Sequence, residues 1–231
     1  RQDGTAIVPF CGFDSVPSDL GAWFTTRAFQ DRFGRGPERV TAAFAMYGGG
    51  LNGGTLASAL HLSEAFPARD LADPFLLTPG RTTREQWAEH ADPRRPVHDP
   101  HRDRWLAPFV MGPINTRVVR RSAHLFEERD QGYGGAFAYQ EFMDVGSRVK
   151  TLAMTAGLGV GVALTQRSWG RRLLEKVGPD PGDGPSQEAM DKGGFRVIYR
   201  AEGDGDALVA RMDSQGDAGN RSTVRFVSEA A

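Results

Sequence analysis

Residues 195–213 read Phe195-Arg196-Val197-Ile198-Tyr199-Arg200-Ala201-Glu202-Gly203-Asp204-Gly205-Asp206-Ala207-Leu208-Val209-Ala210-Arg211-Met212-Asp213. Phe195, Val197, Tyr199 and Ala201 fall on one side of a period-two pattern, as in a strand with one face in a core. Gly203-Asp204-Gly205-Asp206 supplies the residues that accept the positive φ of a tight hairpin turn, and Ala207 to Asp213 returns as the partner strand. A hairpin makes at least part of the sheet antiparallel. The fold expected is therefore α+β, a mixed or antiparallel sheet covered by helices.

Upstream of the hairpin the elements alternate. Thr5 to Phe10 is a short apolar run read as a strand. It leads into a turn at Cys11-Gly12-Phe13-Asp14-Ser15 and a helix start at Pro17-Ser18-Asp19. Leu20, Trp23, Phe24, Arg27 and Ala28 recur at helical spacing and are expected to form a buried stripe, ending near Phe33 before Gly34, Gly36 and Pro37. Val40 to Tyr47 alternates as a strand. After Gly48-Gly49-Gly50-Leu51-Asn52-Gly53-Gly54, a helix from Thr55 to Phe66 should carry Leu56, Ala59, Leu60 and Phe66 inward. Pro67 to Arg104 holds six prolines among many charges, so it reads as a surface excursion with one short helix near Thr83 to His90. A helix from Ile114 to Glu128, a strand from Ala136 to Met143, and one long helix from Thr151 to Val177 follow, with Pro179 to Gly194 as a polar linker.

With 28 basic against 29 acidic residues and 39% hydrophobic residues, the composition is that of a globular protein and gives no reason to expect a nucleic-acid partner. Cys11 is the only cysteine, which excludes an internal disulfide and fits a reducing, cytoplasmic setting. The opening Arg1-Gln2-Asp3-Gly4 has no signal-type apolar run and reads as a chain entered midway.

Gly48-x-Gly50-x-x-Gly53 matches the dinucleotide fingerprint and sits between a strand and a helix. Asp70 lies at the distance of the ribose-binding acid. However, Glu64-Ala65-Phe66-Pro67-Ala68-Arg69 cannot make the buried strand that should precede it. Two other readings stay open: a wide loop with positive φ at several glycines, or a bare backbone where the N–H groups of Gly53, Gly54 and Thr55 meet an anionic or carbonyl oxygen. Asp14, Ser15 and Ser18 sit at the turn before a helix, where outward N–H groups favour a polar ligand; the plainer reading makes Ser15 a cap, Pro17 a first-turn proline and Asp19 a favourable charge.

Cys11 to Gly21, Gly48 to Thr55, and Pro108-Phe109-Val110-Met111-Gly112-Pro113-Ile114-Asn115-Thr116-Arg117-Val118-Val119-Arg120-Arg121 together resemble the saccharopine-dehydrogenase-like oxidoreductases, a family that includes actinobacterial trans-acting enoyl reductases. The resemblance implies an upstream Rossmann domain outside this chain. It makes residues 1–36 the last strand and helix of that domain, 37–215 the substrate domain, and 216–231 the start of a helix returning to the nucleotide domain, so that Rossmann remnants lie at both ends. It implies reduction by NADP or NAD, held mainly by the upstream domain, of a small-molecule, lipid or polyketide-type acyl substrate, with this piece inactive alone. Cys11, Gly12, Phe13 and Asp14 are then expected at the cofactor. Asp14, Ser15, Asn115 and Arg117 are expected in catalysis, and Gly50, Gly53, Gly54, Thr55 and Arg120 at the substrate.

Other readings compete. Arg117, Arg120, Arg121 and His124 share one helical face, either solvated or turned to a carboxylate, phosphate or acyl carrier. A small buried cysteine is commoner than a nucleophile without a nearby histidine, which is the bland reading of Cys11. His90, His98 and His101 lie among prolines without a regular frame, so no metal site is expected. Thr151 to Gln166 carries no charge and is flanked by Arg148, Lys150, Arg167, Arg171 and Arg172. That pattern suits a core or homodimer-interface helix, or a helix lying at a membrane surface. The alternative function is accordingly a non-catalytic, membrane-peripheral or lipid-associated binding protein of the same fold.

Overall fold

The computed structural model describes Gly4 and residues 7–78, 84–135 and 137–230, with Arg84 and Glu85 by backbone alone. In chain order the elements are α1 (Val16–Phe33), β1 (Arg39–Tyr47), α2 (Gly53–Ala65), α3 (Ala68–Leu71), α4 (Arg84–Glu89), β2 (Val97–Asp99), β3 (Arg104–Pro108), α5 (Gly112–Glu127), β4 (Ala138–Met143), α6 (Arg148–Thr165), α7 (Ser168–Val177), α8 (Gln187–Lys192), β5 (Gly194–Gly203) and β6 (Asp206–Gln215), followed by a π-helical turn (Ala218–Ser222) and α9 (Thr223–Ala230).

The six strands form one sheet in the order β2-β3-β4-β1-β5-β6. β1 runs parallel to β4 and every other pair is antiparallel, so the sheet is mixed. The hairpin closes as the alternation predicted: Asp204 and Gly205 take φ of 46° and 83° and join β5 to β6 by a two-residue turn. One face carries the core. Val40, Ala42 and Phe44 of β1, Tyr139 and Met143 of β4, and Phe195, Val197, Tyr199 and Ala201 of β5 pack there under Phe13, Ala22 and Phe29 from the α1 region and Val119 of α5.

α1 inverts the stripe read from its sequence. Ser18, Gly21, Ala22, Thr25, Thr26 and Phe29 are buried, whereas Leu20, Trp23 and Phe24 are exposed. The cause is close approach. Tyr199 stands upright beneath α1, and its hydroxyl donates to the carbonyl of Pro17 at 2.7 Å. A Cβ on Gly21 would lie 2.1 Å from the Tyr199 ring, so only a face of small side chains can meet the sheet there. Gly21→Ala is expected to lower stability by about 1–3 kcal/mol through overpacking. Urea unfolding reads this directly, and an unchanged midpoint would mean that Tyr199 can move aside.

Other expectations shift. Residues 7–10 form no strand and are exposed, with Phe10 at a φ of 63°, while Thr5 and Ala6 lie outside the described residues. Thr83 and Ala136, the first residues of an expected helix and strand, and Ala231 also lie outside them. Phe66 is exposed at the end of α2, and Leu60 is the apolar side chain of that helix that is buried. The long helix from Thr151 is two helices. Arg167 is extended, and Gly170 packs so closely on the end of α6 that a Cβ would meet the Leu164 carbonyl oxygen at 2.3 Å. The linker at 179–194 contains α8. The segments the resemblance gave to a Rossmann domain pack on this sheet: Ala22 and Phe29 of α1 join its core, and Phe226 of α9 packs against it beside Phe195.

Candidate active site

The turn that opens α1 is held from both sides. Ser15 and Val16 N–H groups donate back to the Gly12 carbonyl, and Phe13 N–H donates to Thr223 Oγ1 at 3.1 Å. Phe13 is buried and packs edge-on to Phe195 and Phe44. This leaves Cys11 and Gly12 partly exposed and Asp14 exposed on the rim. Cys11 lends its thiol to the Val8 carbonyl.

Ser15 occupies the N-cap position but makes no capping bond, contrary to the plainer reading of it as a cap. Its hydroxyl is buried and donates to Asn115 Oδ1 at 3.3 Å. The Asn115 amide donates to Glu141 Oε2 at 2.9 Å, and the Tyr139 hydroxyl donates to Glu141 Oε1 at 2.8 Å. Glu141 thus anchors a fully buried chain of polar groups that runs from the middle of β4, through the start of α5, to the N-terminus of α1. Ser18 Oγ stands against Tyr139 and Glu141 without a partner in hydrogen-bond geometry. Loss of water around Glu141 pushes its carboxyl up to about 7, against the hydrogen bonds that favour its charged form. Burial likewise pushes the Tyr139 hydroxyl well above its ordinary range.

Glu141 was not among the residues singled out from the sequence. Its signal was weak but present. In a strand running Tyr139-Gln140-Glu141-Phe142-Met143, alternation places the acid on the same face as Tyr139 and Met143, and an unpaired carboxylate in a core is rare.

The glycine loop lies at the end of β1, close to the same region. Phe195, which packs on Phe13, pairs with Met46 of β1, two residues before Gly48. The turn at 217–223 touches both segments, through Thr223 at Phe13 and Asp217 at Gly49. The loop backbone, however, is covered by its own chain. A Cβ on Gly53 would lie 1.8 Å from the Asp180 carbonyl oxygen, and one on Gly48 would lie 2.5 Å from Gly193 Cα. Gly49 N–H donates to the Ala189 carbonyl and Gly53 N–H to that of Asp183. A pyrophosphate does not fit in this cradle, because residues 180–193 fill it. Gly50 packs near Pro185, and Gly54 and Thr55 are exposed at the start of α2.

Arg117 and Arg120 turn away from this turn and into the excursion. Arg117 is buried, pairs with Asp92, and donates to the carbonyls of Asp73 and Leu71. Arg120 donates to the carbonyls of Pro74 and His90 and lies over the Phe75 ring. Burial lowers its pKa to about 10. Both guanidinium groups hold residues 71–74 and 90–92 on α5.

The other face of the sheet bears a trough of about 500 Å³ over Thr41, Ala43, Phe142 and Ile198. His98 and His101 stand on its rim. Its arginines are already paired, Arg102 with Asp99 and Asp144, and Arg200 with Glu202.

No family model matches the chain, and no solved structure matches it. Curated relatives do. Rv2449c of Mycobacterium tuberculosis, named as a candidate trans-acting enoyl reductase, is 34% identical over 243 residues, covering 98% of this chain and 57% of the relative. The trans-acting enoyl reductase of Mycobacterium ulcerans is 35% identical over 215 residues, covering 84% of this chain and 50% of its own length. That of Mycobacterium bovis is 31% identical over 211 residues, with 83% and 49% covered. The chain therefore spans about half the length of the relatives it matches.

Proposed function

We propose that this chain carries the substrate side of an enoyl reductase of the saccharopine-dehydrogenase-like kind, acting on an α,β-unsaturated acyl thioester. The observation that carries the reading is the similarity, along most of the chain, to proteins named trans-acting enoyl reductases. The glycine loop offers no place for a pyrophosphate, so the reading assigns the dinucleotide, NADP or NAD, chiefly to protein outside these 231 residues. That cofactor supplies the hydride. The chain's own part is to hold the rim at Cys11 to Asp14 in a fixed shape and to exclude water beneath it.

Ser15 and Asn115 are buried, so they act as positioning residues that tie the rim to Glu141. Asp14 is the exposed acid of the rim. Its role in this reading is to manage the proton that the α-carbon takes up.

Asp14→Ala in the complete protein is expected to leave the melting temperature unchanged and to lower kcat for reduction of crotonyl thioester about a hundredfold or more. Activity within twofold of the parent would remove Asp14 from the chemistry. The 231-residue chain alone should not bind NADPH at micromolar concentration, since pyrophosphate and adenosine contacts carry most of the affinity for a dinucleotide. Calorimetric titration checks this. Micromolar binding would overturn the assignment of the dinucleotide to protein elsewhere.

A further inference from the structure

α6 is apolar on its outer side as well as its inner one, where Leu158 and Leu164 are partly buried. Its threonines face the protein: Thr151 Oγ1 donates to the Trp105 and Ser147 carbonyls, and Thr155 Oγ1 to that of Thr151. Val149, Leu152, Ala156, Val160 and Ala163 recur at helical spacing on the opposite side, all exposed, with Val149 at 77%, Leu152 at 49% and Val160 at 60%. Thr151 is the one residue of this helix that is buried. From Thr151 to Gln166 there is no charge to solvate that side. An uncovered apolar surface of this extent marks a contact with something other than water.

α7 repeats the arrangement. Trp169, Leu173 and Val177 stand four residues apart and are exposed, at 59%, 44% and 70%. Gly170, Arg171 and Leu174 turn inward, and Arg171 donates to the Thr165 carbonyl and faces Glu64. The cations that remain are placed around the apolar side: Arg148, over the Trp105 ring, and Lys150 where α6 begins, Arg167 at the corner between the helices, and Arg172 and Lys176 on α7. Among the described residues none of these five forms an ion pair, and α7 carries a single acid, Glu175.

We infer that the outer face of α6 and α7 docks on an anionic phospholipid surface. Exposed aliphatic side chains with a tryptophan enter the boundary between headgroups and acyl chains, and the unpaired cations meet lipid phosphates. The helices lie on the surface and do not pass through it, since among the described residues no helix is long and apolar enough to cross a membrane. A second copy of the chain is a poorer occupant. Two-fold pairing through α6 would bring the same cations toward each other, with Glu175 the single acid on the two helices to receive them. This inference does not rest on the proposed reaction.

Co-sedimentation of the full chain with vesicles tests it. Binding is expected to vesicles of equal parts phosphatidylcholine and phosphatidylglycerol, to weaken in high salt, and to be far weaker with phosphatidylcholine alone. Leu152→Asp with Val160→Asp should weaken binding at least about tenfold. Arg172→Gln and Lys176→Gln should each weaken it on the order of fivefold. All four side chains are exposed, so melting curves should be unchanged. If the aspartate variants do unfold, the glutamine variants still decide. Absence of binding, or equal binding to neutral vesicles, would overturn the inference. Micromolar self-association in sedimentation velocity that the aspartates abolish, without vesicle binding, would give the face to a second copy.

Discussion

Between pH 5 and pH 8 Glu141 is expected to withdraw about 2–3 kcal/mol of folding stability, and Glu141→Gln to remove that loss. The carboxyl titrates at about 7 in the folded chain and at 4.5 when free. Its folded pKa is raised, so between these values the folded state binds the extra proton. Stability is therefore highest below the unfolded value and falls as pH climbs through the folded one. Each unit of the difference is worth 1.36 kcal/mol. A neutral Glu141 or a glutamine can keep its partners, because the Tyr139 hydroxyl accepts as well as donates and the Asn115 amide can turn over.

Other groups act in or near the same window, among them Asp14, which burial also raises. Asp19, desolvated and accepting from Ser122, is raised to about 6, so its contribution has the same sign and is lost at lower pH. His90 is held below its ordinary range by burial and then by Arg120, and so opposes them. The difference between wild type and Glu141→Gln isolates the one carboxyl. Urea unfolding at pH 5, 6, 7 and 8 should show the two midpoints diverging as pH rises. Parallel curves would mean that Glu141 is neutral throughout or reached by water.

Arg117→Ala should destabilise the chain by about 3–5 kcal/mol, the usual effect of removing one partner of a buried ion pair. Arg117 is 2% exposed and Asp92 16%. The alanine would leave Asp92 without its cation and the carbonyls of Asp73 and Leu71 without their donor. Arg117→Lys should recover only part of the loss, since a single ammonium cannot reach three acceptors spread around a planar fork. Residues 67–104 should then become the preferred site of limited proteolysis. A loss under about 1 kcal/mol, the range of exposed pairs, would show that water reaches this pair.

Much of the fold was legible locally. The Asp204-Gly205 turn, the alternation in β1 and β5, the breakers after α1 and the proline that opens α5 each fix a backbone conformation through a few neighbouring residues. Periodicity also found the stretches that became α1, α6 and α7. It misjudged the orientation of α1, where the largest apolar side chains do not form the inner stripe. In α1 the sheet comes so near that Gly21 and Ala22 must face it, which turns Trp23 and Phe24 outward.

The candidate site divides in the same way. The sequence by itself determined that a turn at Cys11 to Ser15 precedes a helix, that Asn115 and Arg117 stand near the start of another, and that glycines crowd the end of β1. Only the tertiary structure decided that Ser15 meets Asn115 across 100 residues, that Asn115 meets Glu141, that the arginines grip the excursion, and that residues 180–193 fill the glycine loop. The reason is physical. Turns, caps and periodicity express energies between residues within a few positions of one another. The burial of a carboxyl depends on which distant segments displace its water, and no local spacing encodes that.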